Sequence, residues 1–465
     1  MKTIRNRRDF LKIAGLTALG LSSPVSSIFK LNAIKAASLD NSGRDRDYKA
    51  LVCLYQGGGN DSFNMLIPRG DAEYNEYALT RSNLAIPKND ILPIDVQNGN
   101  GKLFGLHPSM QDTANLFNSE HMAFINNIGT LVQPTTKEEF MNNSVPLPLG
   151  LFSHSDQTQQ WQTAVPNQRV AVGWAGRLAD LMHESNSNPN IPMNISLSGT
   201  NIFQYGNSTV EFSIDPYGGS ESIYGYGADW GINVGRTQGI DLLFNRQYND
   251  IYEKTYIDVL KGAHEGSLQF REAIEAVPDF NTVFEVDEVS QSFHMIAKVI
   301  AAREALGFER QIFFIDYGGW DHHDELLNNQ ETMLQFVNNG LKSFAEVLNE
   351  LGLFDQVTTF SMSDFSRTLT SNGNGTDHAW GGNVMAMGGA VNGKKFYGEY
   401  PSLELENPVE VGDGVMLPTT ATDLYFAELA LWLGVTPSEL PTIFPNIGNF
   451  YDVNSGIPPL GFLNI

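Results

Sequence analysis

Cysteine, positive charge and long apolar runs are all scarce in this sequence. Cys53 is the only cysteine among 465 residues, so no disulfide can form within the chain and its stability must come from a hydrophobic core. Lysine and arginine number 29 against 53 aspartates and glutamates, which leaves a formal net charge of −24. Nucleic acid is therefore not expected as a partner, because binding to its phosphates requires basic residues.

The N-terminal 37 residues contain the sequence RNRRDFLK, a short apolar stretch at residues 13–21 and small residues at Ala36 and Ala37. This segment resembles a twin-arginine (Tat) signal peptide. The apolar stretch is well short of the ~20 residues that span a bilayer as a helix, so no stable membrane span is expected. We expect the Tat translocase to export the chain to the periplasm or medium. Retention as an uncleaved anchor and a basic amphipathic helix remain alternatives.

The remainder of the chain alternates β-rich apolar runs with longer helical patterns. We predict buried strands at residues 48–56, 121–129, 191–199, 311–318, 357–364 and 383–391. Helices are predicted at residues 251–277, 289–306, 329–352 and 423–434. Strands separated by helices indicate an α/β sandwich around a mostly parallel sheet, formed by one domain over residues 48–465. Residues 199–239 are rich in glycine and poor in helix signals, so they are predicted to form an insertion or cap.

Ionisable residues follow several of the predicted strands. Asp61 lies beyond the first strand, and Asp364 and Arg367 follow the strand at 357–364. The stretch YGGWDHHDE, residues 317–325, adds three carboxylates and two imidazoles, and Asp377 and His378 precede the last strand. In parallel sheets the ligand site lies outside the carboxyl ends of the strands. Imidazoles favour zinc, whereas carboxylates also suit magnesium, manganese or calcium, so the sequence predicts a divalent metal site.

Several of these residues also have a structural interpretation. Asp61 could cap a helix, and Arg367 could pair with a structural carboxylate. His378 could be a loop histidine with satisfied hydrogen bonds. The DHHDE cluster favours a metal or catalytic role without further support, because a solvated acidic loop rarely needs two adjacent imidazoles.

The motifs GGGNDSFNMLIP, FSHSDQ, GGWDHHDE, SDFSRT and GTDHAWGGNVMAMGGAV occur in this order between about residues 51 and 445. In them the sequence resembles the exported family called domain of unknown function 1501. That family is similar to the alkaline phosphatase superfamily. The resemblance implies a three-layer sandwich, with helices on both sides of a mostly parallel central sheet. It also implies metal-dependent hydrolysis or transfer of phosphate or sulfate esters.

The resemblance implies roles for particular residues. Asp61 and Asp364 are similar to the carboxylates of one metal site. Asp321, His323 and His378 are similar to the ligands of another, with His322 as a substitute for His323.

Ser153 lies near the position of the superfamily nucleophile, with Ser155 as the alternative, and Arg367 could hold ester oxygens. Phe365 stands where the superfamily commonly has a histidine after the aspartate. One metal site would then lack an imidazole. Alternatively, Asp377 and His378 are the true Asp-His pair, and Asp364 lies behind the ligands without binding the metal itself. The strand immediately before Asp364 favours the first assignment.

Two functions remain open from the sequence. The first is an exported hydrolase that uses one or two divalent ions, with zinc preferred, on small anionic phosphate or sulfate esters. The second is an exported binding or scaffold protein that keeps the fold, and one structural metal, without catalysis.

Overall fold

The computed structural model describes residues 48–220 and 223–465. The predicted Tat signal at residues 1–37 lies outside this part of the chain. The described residues from Tyr48 onward fall within one compact unit. No helix in these ranges is long and apolar enough to cross a membrane.

Twelve strands and thirteen α-helices are present in the described ranges. The strands are β1 (Lys49–Gln56), β2 (Leu66–Pro68), β3 (Leu92–Ile94), β4 (Phe104–Leu106), β5 (Met122–Gly129), β6 (Asn194–Ser196), β7 (Phe212–Ser213), β8 (Arg310–Asp316), β9 (Val357–Ser363), β10 (Gly382–Met387), β11 (Phe396–Tyr397) and β12 (Thr420–Ala421). The helices are α1 (Ser62–Met65), α2 (Asp71–Arg81), α3 (Gln111–Asn118), α4 (Lys137–Met141), α5 (His154–Thr163), α6 (Trp174–Met182), α7 (Ile232–Asn245), α8 (Ile251–Glu275), α9 (Glu288–Ala301), α10 (Arg303–Leu306), α11 (Leu326–Glu350), α12 (Thr422–Leu433) and α13 (Leu440–Ile443).

The central sheet has the strand order β11-β5-β10-β9-β1-β8-β6-β7, and β12 also pairs with β5. β1 is parallel to both of its neighbours, β8 and β9. β10 runs antiparallel to β9 and β5. The prediction of a mostly parallel sheet is confirmed. A separate three-stranded antiparallel sheet contains β2, β4 and β3.

β1 shows how the sheet lies between two helical layers. Alternate side chains of a strand point to opposite faces. Ala50, Val52 and Leu54 belong to a core shared with residues of α9 and α11. Leu51 and Cys53 belong to a second core shared with α6 and α12. Both faces of β1 are therefore buried, and the predicted three-layer sandwich is confirmed.

Most predicted elements are present, with three differences. The helix predicted at 289–306 is interrupted at Ala302, which separates α9 from α10. β6 covers only Asn194–Ser196 of the predicted strand at 191–199. α7 begins at Ile232, inside the region predicted to be poor in helix. Asn233 is its only buried residue, and its apolar residues do not gather on one face that would indicate a helix in the sequence. The insertion or cap at residues 199–239 stays a prediction.

Candidate metal centre

The loops after β1, β8 and β9 meet at one edge of the sheet, because these three strands are adjacent and parallel. Two glycines after β1 allow the loops after β8 and β9 to approach the loop after β1 closely. Gly58 has φ 118°, and a Cβ there would lie 2.6 Å from the backbone nitrogen of Asp321. Gly59 has φ 88°, and its Cβ would lie 2.5 Å from the ring of Phe365. Any side chain at either position would separate these loops.

A fourth segment, residues 372–378, packs on the loop after β8. The backbone amide of Thr376 donates to the carbonyl of His322 at 3.1 Å. The amide of Leu326 donates to the carbonyl of Asn374 at 3.2 Å. A Cβ at Gly375 would lie 2.4 Å from the carbonyl oxygen of His322, so only glycine fits there without displacement. These contacts bring His378 beside His323, although 55 positions separate them in sequence.

Three imidazoles surround the carboxylate of Asp321. The Nε2 atoms of His323 and His378 lie 3.1 and 3.2 Å from its Oδ1. The Nε2 of His154 lies 3.3 Å from Oδ2. His154, Asp321 and His378 together form a group whose ligand atoms could hold a metal ion. A candidate His/Asp metal site is therefore present.

Each imidazole is oriented by an acceptor at its other nitrogen. His323 Nδ1 lies 2.9 Å from Asp377 Oδ1, and His154 Nδ1 lies 2.7 Å from Asp364 Oδ2. His378 Nδ1 lies 2.7 Å from the backbone carbonyl oxygen of Phe152. A carbonyl or an ionised carboxylate only accepts hydrogen bonds, so in a neutral imidazole with this partner Nδ1 is the donor. In the neutral imidazoles each Nε2 then presents a lone pair toward Asp321.

The two imidazoles of His323 and His378 also face each other, with their Nε2 atoms 2.9 Å apart. Two lone pairs at this distance repel unless a proton or a cation lies between them. Ligand atoms around a tetrahedral zinc with bonds of about 2.0–2.1 Å lie about 3.3 Å apart. The distances of 2.9, 3.1 and 3.2 Å among His323, His378 and Asp321 are close to that value. The donor set and its spacing thus fit a zinc-sized divalent ion.

Asp321 is held in its charged form by the basic groups around it. Partial burial opposes ionisation, but the hydrogen bond and charge of Arg367, together with His323 and His154, lower the pKa of Asp321 below its usual value. Arg367 Nη1 donates to Asp321 Oδ1 at 2.6 Å. The carboxylate is therefore available as an anionic ligand at neutral pH.

The pKa values of His154 and His378 are shifted in opposite directions. The hydrogen bond from His154 to Asp364 raises the pKa of His154, although burial works against it. Burial is the main cause that lowers the pKa of His378, and the charges of Arg367 and His154 add to it. A neutral His378 is the form that binds metals.

Asp364 orients His154 from inside the protein. Its carboxylate accepts a hydrogen bond from the hydroxyl of Tyr55 and two longer ones, each 3.2 Å, from the amide of Gly58. Asp364 is buried at the end of β9. Its contact with the imidazole of His154 matches the alternative in which Asp364 orients the ligands, and its predicted place in a metal site with Asp61 stays a prediction.

Asp61 and His322 do not reach this group. Asp61 is buried and forms an ion pair with Arg81, which is also buried. Its side chain does not cap α1. His322 is buried, burial lowers its pKa, and its Nδ1 has no hydrogen-bond partner within the described ranges. Of the two adjacent histidines, His323 is therefore the one beside Asp321. The ligand roles of Asp61 and His322 stay predictions.

Arg367 is fully buried, and its guanidinium contacts protein acceptors. Besides Asp321 these are the carbonyl oxygen and the hydroxyl of Thr376 and the carbonyl of Gly58. This arrangement matches the alternative from the sequence analysis that Arg367 pairs with a carboxylate. Its predicted contact with ester oxygens stays a prediction.

Ser153 immediately precedes α5, and its Oγ lies 3.1 Å from the Oγ of Ser155. It is adjacent to His154 in the chain and therefore borders the cluster. The nucleophile role of Ser153, with Ser155 as the alternative, stays a prediction.

The sequence analysis did not identify His154, the third imidazole beside Asp321. It lies between the two candidate serines in FSHSDQ, and its partner Asp364 is 210 positions away. The available signal was its position in the motif FSHSDQ, directly between the two serines that were already candidates.

The described chain is thus a three-layer α/β protein with a His/Asp cluster at the carboxyl edge of a mostly parallel sheet. The family described as "Protein of unknown function (DUF1501)" matches residues 246–424 of this chain. The resemblance inferred from the motifs is confirmed over that span. No curated protein matches the sequence.

Several solved structures are similar at low sequence identity. The soluble domain of lipooligosaccharide phosphoethanolamine transferase A from Neisseria meningitidis is 8% identical, with 84% of this chain and 90% of that chain covered and a TM-score of 0.34. PsFucS1 sulfatase from Pseudoalteromonas sp. is 9% identical, with 89% and 72% covered and a TM-score of 0.33. The C-terminal periplasmic domain of EcEptC from Escherichia coli, in complex with Zn, is 8% identical, with 75% and 74% covered and a TM-score of 0.32.

Proposed function

We propose that this protein is an exported, metal-dependent hydrolase that acts on small phosphate or sulfate esters. One observation carries the proposal: three imidazoles direct Nε2 at the carboxylate of Asp321, while an acceptor fixes each Nδ1. Metal-binding histidines usually donate their second nitrogen to a carboxylate or a carbonyl, as these do. A structural ion pair would not need three imidazoles oriented in this way.

His323, His378 and Asp321 are the proposed ligands of a first ion, with zinc preferred. The second oxygen of Asp321 faces His154, so these two residues would be the ones to hold a second ion. A divalent ion at this position would lower the pKa of a bound hydroxyl and neutralise charge on the ester oxygens. Such neutralisation matters here because the protein surface is strongly acidic and repels anionic esters.

The residues around the ligands have separate roles in this proposal. Arg367 keeps Asp321 ionised and fixed, and Asp377 orients His323. Ser153, with Ser155 as the alternative, is the proposed nucleophile. Attack by its oxygen on phosphorus or sulfur would release the alcohol, which takes up a proton. Hydrolysis of the resulting serine ester would restore the enzyme.

Metal content is the first test. We expect inductively coupled plasma mass spectrometry to find one or two divalent ions per chain in protein purified without chelators. A His323→Ala, His378→Ala double variant should lose them. His121→Ala is the matched control, because His121 packs against Phe354 away from the cluster. Metal retained equally by all three proteins would contradict the proposed ligands.

Turnover separates catalysis from binding. With metal-loaded protein we expect hydrolysis of p-nitrophenyl phosphate or p-nitrophenyl sulfate, and loss of this activity in the double variant. A bound metal without turnover of either ester would favour the second function, an exported binding or scaffold protein. The buried guanidinium of Arg367, which contacts no open space, is the observation in favour of that alternative.

A further inference from the structure

A wide cleft of about 840 Å³ opens at the carboxyl end of β8. Its lining includes Gln162, Ile202, Tyr205, Glu211, Phe314 and Asp316. The volume is within the range of small-molecule sites in proteins. None of the described residues that line it is a lysine, an arginine or a histidine.

The cleft adjoins the candidate metal centre through the end of β1. The ring of Tyr55 stacks on Phe314 of the cleft, with centroids 6.0 Å apart, while its hydroxyl donates to Asp364. Asp316 Oδ1 would lie 2.9 Å from a Cβ at Gly57, and the next amide, that of Gly58, donates to Asp364. The cleft and the candidate metal centre therefore lie on either side of the buried side chain of Tyr55.

The two carboxylates of the cleft differ from Asp321 in having no cation beside them. Glu211 Oε2 is enclosed and has no hydrogen-bond partner among the residues that the structure describes. The Asp316 side chain forms no ion pair within the same ranges, and its backbone amide donates to Ser198. Burial raises the pKa of both carboxyls, and for Asp316 the charge of Asp364 adds to this effect.

Two of the amide side chains of the cleft have partners inside the protein. The Asn201 amide donates to Ser196 and Gln204, and Gln162 Oε1 accepts from the amide of Phe203. Glu211, Asp316 and the ring of Tyr205, a residue that is 45% exposed, line the same cleft. Carboxylates and an accessible aromatic face are the groups that attract organic cations.

We propose that this cleft binds an organic ammonium group, and that the substrate of the metal centre carries such a group on its alcohol portion. The second half of this statement rests on the proposed hydrolase function, whereas the first half does not. The acidic cleft would then select among esters whose anionic part binds at the metal.

Equilibrium binding tests the cleft without any turnover. The probe is choline, and its control is the uncharged isostere 3,3-dimethylbutan-1-ol, both titrated by isothermal calorimetry into the metal-loaded protein. We expect choline to bind and the isostere to bind at least tenfold more weakly. A Glu211→Gln, Asp316→Asn double variant should weaken choline at least tenfold and leave the isostere unchanged.

Glu285→Gln is the matched control variant, since Glu285 is exposed and does not line the cleft. Circular dichroism and thermal unfolding would show that each variant folds. Equal binding of choline and its isostere would overturn the proposal, as would full choline binding by the double variant. Binding of maltose without choline binding would show that the cleft takes hydroxyl-rich ligands instead.

A kinetic comparison separates this proposal from the hydrolase proposal. We would compare kcat/KM for p-nitrophenyl phosphorylcholine and p-nitrophenyl methyl phosphate, two diesters that differ in the cationic group. A preference for the first of at least tenfold, lost in the double variant, supports both proposals. Choline binding without turnover of any ester would contradict the hydrolase and leave the cleft proposal standing. Equal turnover of the two diesters would contradict the proposed substrate class alone.

Discussion

Two aspartates follow neighbouring strands of the sheet, and each contacts an arginine. Asp61 lies beyond β1 and pairs with Arg81, and both side chains are fully buried. Asp321 lies beyond β8 and pairs with Arg367, but 43% of its side chain is exposed. Asp61 faces no imidazole at ion-pair distance in the described structure, whereas Asp321 faces three.

The comparison shows that a carboxylate at a strand end does not by itself indicate a ligand. Arg81 also donates to the side chain of Asn64 and the carbonyl of Thr368, so the first pair is enclosed by protein groups. Arg367 leaves the rest of the Asp321 carboxylate open toward solvent and the imidazoles. Burial and the surrounding donors therefore distinguish a structural pair from a candidate metal ligand.

Asp61→Ala should have the largest effect on stability. Removing the carboxylate leaves the Arg81 charge buried without its partner, which costs about 3–5 kcal/mol. Chemical denaturation monitored by circular dichroism measures the loss. Asp71→Ala is the control, because Asp71 pairs with Lys88 at the surface, and little change is expected. Similar losses in both variants would show that the Asp61 pair is not structurally distinct.

Asp423 extends the comparison to a buried carboxyl without an ion pair within the described residues. Burial raises its pKa to about 7, although the charge of Arg177 opposes the shift. The folded state then binds more protons than the unfolded state between about pH 4 and 7, so stability falls as pH rises through this range.

Asp423→Asn removes this titration and keeps the shape of the side chain. Relative to the variant, the wild type should lose up to about 4 kcal/mol between pH 4 and pH 8. Urea denaturation across this pH range measures the difference. A difference that stays constant with pH would contradict a neutral Asp423 in the folded protein.

Zinc should stabilise the folded protein by binding beside Asp321. It should have no such effect when His323 and His378 are replaced by alanine. At a free zinc concentration 100 times the dissociation constant, binding adds about 2.7 kcal/mol to the free energy of unfolding. Thermal unfolding of protein stripped with a chelator, with and without zinc chloride, measures this as a rise in Tm. An equal rise in the His323→Ala, His378→Ala variant would place the bound zinc elsewhere.

Asp377→Asn should have the smallest effect, because Asp377 orients His323 without being a proposed ligand itself. Loss of such an orienting group weakens metal binding about 10- to 100-fold. Competition with a chromophoric zinc chelator measures the affinity. Asp324→Asn is the matched control in the neighbouring loop, since Asp324 contacts Asn374 and not His323. Equal zinc affinities of the two variants would show that Asp377 does not support metal binding.

Much of the fold could be predicted from local patterns. β1, β8 and β9 appear as continuous apolar runs because both faces of each strand are buried. α11 and α12 were predicted within a few residues of their bounds, since their buried positions are mostly apolar. α7 was not predicted, because it packs too little against the protein to require an apolar face.

The sequence by itself determined the α/β alternation, the mostly parallel sheet and the kinds of ionisable residue at its carboxyl edge. These features depend on hydrophobic periodicity and on strand order, which local patterns express. Only the tertiary structure decided that Asp61 pairs with Arg81, that His154 joins Asp321 and that Glu211 and Asp316 share a cleft. Such contacts join side chains far apart in the chain, and the paths of the loops set their distances.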